Sequence, residues 1–210
     1  MQLEIEVAEK LLEIQAIQLR PKDPFTWASG ILSPIYCDNR MVLSYPAVRN
    51  FIKESFASLT KKLNSFDVIA GVATAGIAHG ALLADLLGKP FIYVREKPKG
   101  HGRQNSIEGR LEAGMRVLVI EDLISTGGSS FAAVSKLRDS GAEVVGVLAI
   151  FSYEFEVAKK LFEENHCPLF TLSNYSALLQ VALQKGMIDQ PVLEVLQKWR
   201  RDPQQWKPNA

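Results

Sequence analysis

The chain has 210 residues, 47% of them hydrophobic, which suits one domain with a sizeable core and a small appended subdomain. Lys and Arg number 24 against 23 Asp and Glu, a net charge of +1, so no overall field recruits nucleic acid or an anionic membrane. Cys37 and Cys167 have no paired spacing and no Cys/His cluster around them, which argues against a zinc site or a disulfide framework and suits a reducing cytoplasm.

The N-terminal Met-Gln-Leu-Glu-Ile-Glu-Val lacks the basic and apolar segments of a signal peptide. Ile5, Ala8, Leu11, Leu12, Ala16 and Leu19 recur at helical spacing, so a helix is predicted that ends before Pro21. Residues 24–41 read as irregular. Their aromatics Phe25, Trp27 and Tyr36 suit stacking on a planar ring, and Arg40 suits a carboxylate or phosphate. Ser44 is the predicted cap of a helix with Pro46 in its first turn and Val48, Ile52, Phe56, Leu59 and Leu63 as its inner stripe. Val68 to Ala84 has only Thr74 and His79 as clearly polar side chains. It is too short for a membrane span, carries Gly71, Gly76 and Gly80, and is flanked by Asp67 and Asp85. A strand at Val68–Val72, a glycine turn and a buried helix near Ile77–Leu87 are expected instead, in a soluble protein. The small residues of Gly71-Val-Ala-Thr74-Ala-Gly76 leave backbone N–H groups open to an anion.

A strand is predicted at Phe91–Val94. The connection after it runs from Arg95 through Glu96, Lys97, Lys99, Gly100, His101 and Gly102 to Glu108-Gly109, which is long for a link between strands. Its cations, histidine and glycines describe a basic segment able to close over a polyanion and exclude water. The next predicted strand is Val117–Ile120, with Glu121 and Asp122 at its carboxyl end. Leu123 and Ile124 lead into the turn Ser125-Thr126-Gly127-Gly128-Ser129, and a helix is predicted over Ser129–Arg138. Amides at a helix N-terminus form an anion site, and glycines let a phosphate approach them. Acids beside such a cradle would repel the phosphate unless they serve another part of the ligand. A sugar with neighbouring hydroxyls and a 5'-phosphate suits both halves, so the ligand read here is a phosphoribosyl group.

A strand at Val144–Phe151 follows, with Gly88 and Gly141 near the ends of the preceding helices. From Glu154 the chain reads as mostly helical, with a short strand at Leu169–Thr171. The tail Trp199–Ala210 is polar and loosely held. Trp199 and Trp206 are expected to anchor the C-terminal helix, and His79 and His166 receive no role. Alternating strands and helices imply an α/β fold, a mainly parallel sheet with helices on both faces and ligands beyond the strands' carboxyl ends.

Val117 to Ser130 resembles the phosphoribosyl-pyrophosphate (PRPP) motif of type I phosphoribosyltransferases, with Glu121 where the first acid is more often Asp. Gly71 to Gly76 resembles the family's pyrophosphate loop. The basic segment is similar to the catalytic loop of the orotate phosphoribosyltransferase family, and Phe25 to Arg40 to its N-terminal hood, with Ser-Gly and Ser-Pro in place. The resemblance spans Phe25 to about Phe151. It implies the type I phosphoribosyltransferase fold as a single domain, with a hood at about 1–44, a core at about 45–155 and a mostly helical region at about 156–210.

The implied reaction joins orotate to PRPP, giving orotidine 5'-phosphate and pyrophosphate in pyrimidine synthesis. The resemblance places catalysis on Lys99, His101 and Asp122. It places PRPP on Arg95, Lys99, His101, Thr74 and the run Glu121, Asp122, Leu123, Ile124, Ser125, Thr126, Gly127, Gly128 and Ser129. Orotate falls to Ser125, Phe25 and Tyr36. Mg²⁺ is implied as a cofactor carried on the PRPP diphosphate without direct protein ligands. A homodimer sharing the basic segment across subunits is implied too, with neither nucleic acid nor membrane as partner.

Besides Glu121, the chain departs from the family pattern in three places. Glu96 stands where Lys often follows the Arg, and Lys97 is left as a candidate one place later. Ala28 replaces a ligand-contacting Lys before the Ser-Gly. Ser152, Tyr153 and Glu154 follow the Val144–Phe151 strand where many members have an Arg for the orotate carboxylate. A backbone N–H of the phosphate turn, or Ser125, is then the expected carboxylate partner. Two alternatives stand beside this reading. A purine phosphoribosyltransferase would share the PRPP motif but lack the hood and basic segment. A PRPP-sensing gene regulator would need a DNA-reading surface, and the segment before Pro21 is short and acidic.

Overall fold

Runs of branched apolar residues become the central strands of an α/β sheet. The computed structural model describes residues 2–27, 30–96 and 106–207. From the N-terminus the elements are α1 (Gln2–Glu13), β1 (Ile17–Leu19), β2 (Phe25–Thr26), β3 (Leu32–Ser33), β4 (Ile35–Cys37), a 3-10 turn over Asn39–Ser44, and α2 (Pro46–Thr60). The alternating part follows as β5 (Val68–Val72), α3 (Ala75–Leu87), β6 (Phe91–Val94), β7 (Ile107–Glu108), β8 (Arg116–Ile124), α4 (Gly128–Asp139) and β9 (Glu143–Ser152). The chain closes with α5 (Glu156–Glu164), β10 (Leu169–Asn174), α6 (Tyr175–Gln184) and α7 (Gln190–Arg201).

Six strands form the main sheet in the order β10-β9-β8-β5-β6-β7, parallel except for β7, which runs antiparallel to β6. Side chains alternate across a strand, and each face of this sheet has its own core. Leu118, Ile120, Leu148 and Ile150 pack with α1, α2, α3, α6 and α7. Val117, Val119, Val147 and Ala149 pack with α4 and α5. Burial on both faces accounts for the near-continuous apolar runs of β5, β8 and β9. Asp67 at the head of β5 takes the Arg116 guanidinium in two contacts, at 3.0 and 2.7 Å, joining the starts of adjacent strands. Among the described residues, no helix is long and apolar enough to cross a membrane.

Two expectations near the N-terminus are corrected. The helix predicted up to Leu19 ends at Glu13, Gln15 adopts a positive φ of 56°, and Ile17–Leu19 pairs antiparallel with Ile35–Cys37. Over so few residues, apolar Ala16, Ile17 and Leu19 fit a strand as well as a helix, and tertiary pairing chooses. Ser44 belongs to the 3-10 turn and does not cap α2. Tyr45 is the N-cap, without a side-chain bond, and Pro46 opens the helix.

The N-terminal hairpins rest on an aromatic cluster. Trp27 lies 5.3 Å from Tyr153 and 5.7 Å from Trp199, ring centre to ring centre, and Trp199 Nε1 donates to the Leu32 carbonyl at 3.2 Å. Trp199 of α7 is fully buried there, and Trp206 packs partly buried against the same core, as anchors of the C-terminal region.

Candidate active site

Glu121 and Asp122 lie inside β8, correcting the expectation that the strand stops at Ile120. β9 continues to Ser152 and supplies partners, Ala149 for Glu121 and Phe151 for Leu123. Strand alternation sends the two acids to different surroundings. Glu121 is buried: its Oε2 accepts from Ser130 Oγ of α4 at 2.9 Å, and its Oε1 from the Asp122 N–H at 3.0 Å. Asp122 is half-buried, and its carbonyl accepts from the Asn39 side-chain amide at 2.7 Å. Burial, then the neighbouring Asp122 charge, holds the Glu121 carboxyl above the usual carboxylate range. Burial also raises Asp122, while the Arg40 guanidinium pulls it the other way.

Past β8, Ser125 is half-buried and Thr126 exposed, and Gly127 takes a left-handed φ of 80° as the N-cap of α4. No side chain caps this helix, so its first amides are available to an anion. Gly127 is also tight from behind: a Cβ there would lie 3.0 Å from Phe162 Cε2 of α5. Just past the adjacent strand β5, Thr74 is the N-cap of α3, again without a side-chain bond, and the Ala73–Thr74 peptide is cis. A Cβ on Gly76 would collide with the Ile120 carbonyl oxygen, so glycine is what lets α3 press against β8 just below the acids. Two uncapped helix N-termini thus flank one acid pair at the carboxyl edge of the sheet.

Arg95 stands at the end of β6, its N–H donating to the Ser106 carbonyl at 2.7 Å and its Nη1 3.4 Å from Glu108 Oε1. Phe25 and Tyr36 meet at 5.4 Å between ring centres, with the Arg20 guanidinium 4.8 Å over the Phe25 ring. Beyond β4, Cys37 Sγ lies 3.4 Å from Asn39 Oδ1, and burial, then the Asp122 and Asp38 charges, pushes the Cys37 thiol up. Arg40 is engaged by Asp38, with Nε and Nη2 at 2.6 and 2.9 Å from its carboxylate. Lys97, Lys99, Gly100, His101, Gly102 and Ala28 lie outside the described residues.

A phosphoribosyl transferase domain model matches residues 41–185. The orotate phosphoribosyltransferase of Listeria innocua is 53% identical over 207 residues, covering 98% of this chain and 99% of its own. The chain belongs to the orotate phosphoribosyltransferase family. The orotate phosphoribosyltransferase of Aeropyrum pernix superposes with a TM-score of 0.76 at 28% identity, over 87% of this chain and 99% of that one. The Mycobacterium tuberculosis orotate phosphoribosyltransferase, solved in complex with PRPP, matches with a TM-score of 0.66 at 25% identity, over 84% and 98%.

Within this family member, the described predicted PRPP residues Thr74, Arg95 and Glu121 to Ser129 gather at the ends of the neighbouring strands β5, β6 and β8. Sequence reasoning gave Asn39 and Ser130 no role, yet both bond to the acid pair. Ser130 follows the predicted turn directly, so its position was the available signal. Asn39 sits in the hood motif, and nothing local announces a contact with a strand 83 residues away. His79 is buried, pushed down to about 4 by desolvation, and its Nε2 has no hydrogen-bond partner. A cleft of about 580 Å³ between α5 and β10 is lined by Phe155, Ala158, Phe162 and Leu169 and by none of the predicted site residues.

Proposed function

We propose that the chain transfers the 5-phosphoribosyl group from PRPP to orotate, releasing orotidine 5'-phosphate and pyrophosphate in pyrimidine synthesis. The observation that carries this reading is the acid pair of β8 in line with the uncapped N-terminus of α4, in a chain of this family. Asp122 and Glu121 take the ribose hydroxyls, Glu121 being also tied inward to Ser130. The amides and hydroxyls of Ser125 to Ser129 take the 5'-phosphate. Phe25, Tyr36 and Ser125 meet orotate.

Bond breaking leaves the anomeric carbon oxocarbenium-like and builds charge on the departing diphosphate, as in glycoside cleavage. Residues that stabilise that charge more in the transition state than in the bound substrate speed the step. Lys99 is the principal cation, supported by Arg95 and His101, with Thr74 and the amides of α3 beside the diphosphate. Mg²⁺ carried in with PRPP would supply charge neutralisation at the diphosphate, with no protein side chain assigned as its direct ligand.

The fall of orotate ultraviolet absorbance with and without PRPP and Mg²⁺ tests the reaction, and adenine, guanine and hypoxanthine as competitors test the base. Lys99→Ala is expected to lower turnover by about tenfold or more with the fold intact; unchanged turnover refutes its role. We further propose a cytoplasmic homodimer in which the basic segment of one subunit serves the other's site. Light scattering checks the mass, and activity regained on mixing Lys99→Ala with Asp122→Asn subunits checks the sharing.

A further inference from the structure

Lys136 lies in the last turn of α4, seven residues after Ser129, and at 100° per residue the two fall on nearly the same helix face. Between them that face lines a cleft of about 280 Å³ whose other walls include Val72, Ala73, Val94 and Arg95. The half-buried Lys136 side chain is tied to the main chain by its ammonium. Its Nζ donates to the Arg95 carbonyl at 2.8 Å and to the Glu96 carbonyl at 2.7 Å. Those carbonyls belong to the residues where the chain leaves β6. With the Arg95 N–H already bonded to the Ser106 carbonyl at 2.7 Å, the Arg95 main chain is held from both sides. The Arg95 guanidinium itself has a long 3.4 Å contact to Glu108, so its aim depends on the backbone beneath it.

We infer that Lys136 is a positioning residue: through the Arg95 and Glu96 carbonyls it sets where the Arg95 guanidinium meets the PRPP diphosphate. The inference rests on the reading that Arg95 contacts PRPP. One rigid helix then carries the phosphate-binding amides at its N-terminus and the anchor of the diphosphate arginine near its other end. The spacing between the two ends of PRPP is thereby written into α4. Ammonium-to-carbonyl bonds are charge-assisted, and a neutral side chain of similar length cannot replace them.

A double-mutant cycle on Arg95 and Lys136 tests this, using the full chain, steady-state kinetics with PRPP and orotate varied separately, and thermal melting of each variant. Lys136→Met is expected to raise KM for PRPP by about tenfold, with KM for orotate and the melting temperature little changed. Lys136→Arg should recover most of the loss, because it keeps a charged donor. In the Arg95→Ala background, Lys136→Met should add nothing further. An equal penalty from Lys136→Met in both backgrounds overturns the inference, because Lys136 would then act without Arg95. So does native KM for PRPP in Lys136→Met while Arg95→Ala is impaired. Native kinetics in Arg95→Ala itself removes the Arg95 contact, and the role of Lys136 with it, while leaving the remaining site assignments standing.

Discussion

Glu121 and Asp122 are neighbours in β8 with different duties. Glu121 is turned under α4 and bonded to Ser130 at 2.9 Å, whereas the contact at Asp122 is made by its main-chain carbonyl, which accepts from the Asn39 amide. Burial raises both carboxyls, Glu121 to about 8, so the free protein holds a proton on Glu121 at a pH where ordinary carboxylates are ionised. A raised acid binds its proton until the pH climbs through the raised value. Ribose hydroxyls that donate to the ionised form lower that value, so binding expels a proton and PRPP affinity grows with pH across the neutral range. Calorimetry in two buffers of different ionisation heat should find proton release for the native protein and less for Glu121→Gln. Identical heats in both buffers for the native protein would refute the linkage.

At the level of elements, the phosphate turn depends on what lies behind it. Gly127 combines a φ of 80° with a Cβ position 3.0 Å from Phe162, so α5 walls in the start of α4. Gly127→Ala has to hold a side chain in a left-handed backbone, at about 1–2 kcal/mol, and must also displace the Phe162 ring. The expected result is a lower denaturation midpoint together with a raised KM for PRPP. A variant with native values for both would show that the turn adjusts freely. Asp67 gives a second element-level test, since the Arg116 guanidinium beside it holds its carboxyl well below the usual range. That contribution is present above the unfolded carboxyl value near 3.8 and fades as pH falls through the depressed one. Asp67→Asn should therefore melt earlier than the native chain at neutral pH, with the gap narrowing in acid; a gap constant with pH would contradict this.

For the molecule as a whole, the N-terminal hairpins, the end of β9 and the C-terminal helix meet at one aromatic cluster. Trp199 touches Trp27, Tyr153, Phe155 and Tyr175 and bonds to the Leu32 carbonyl. Trp199→Ala leaves a large cavity there and is expected to cost about 3–5 kcal/mol in guanidinium unfolding. Because the cluster carries the segment that holds Phe25 and Tyr36, KM for orotate should rise more than KM for PRPP. Equal changes in both would place the hood's support elsewhere.

The sequence by itself determined the alternating core and the phosphate turn. β5 and β6 match their predicted limits, and β8 and β9 extend theirs by a few residues, because buried parallel strands are long apolar runs flanked by glycine turns. The acids, hydroxyls and glycines of 121–129 are contiguous, so their joint meaning needed no fold. Tertiary structure decided what joins distant segments. Only pairing with Ile35–Cys37 makes Ile17–Leu19 a strand, and only the long β9 keeps Glu121 and Asp122 inside one. Asn39 on Asp122, Ser130 on Glu121 and Lys136 on the Arg95 carbonyl are bonds between side chains of ordinary polar types and partners set by packing. Local sequence carries periodicity and turn chemistry. It does not carry the distances between elements, which the two-faced core alone establishes.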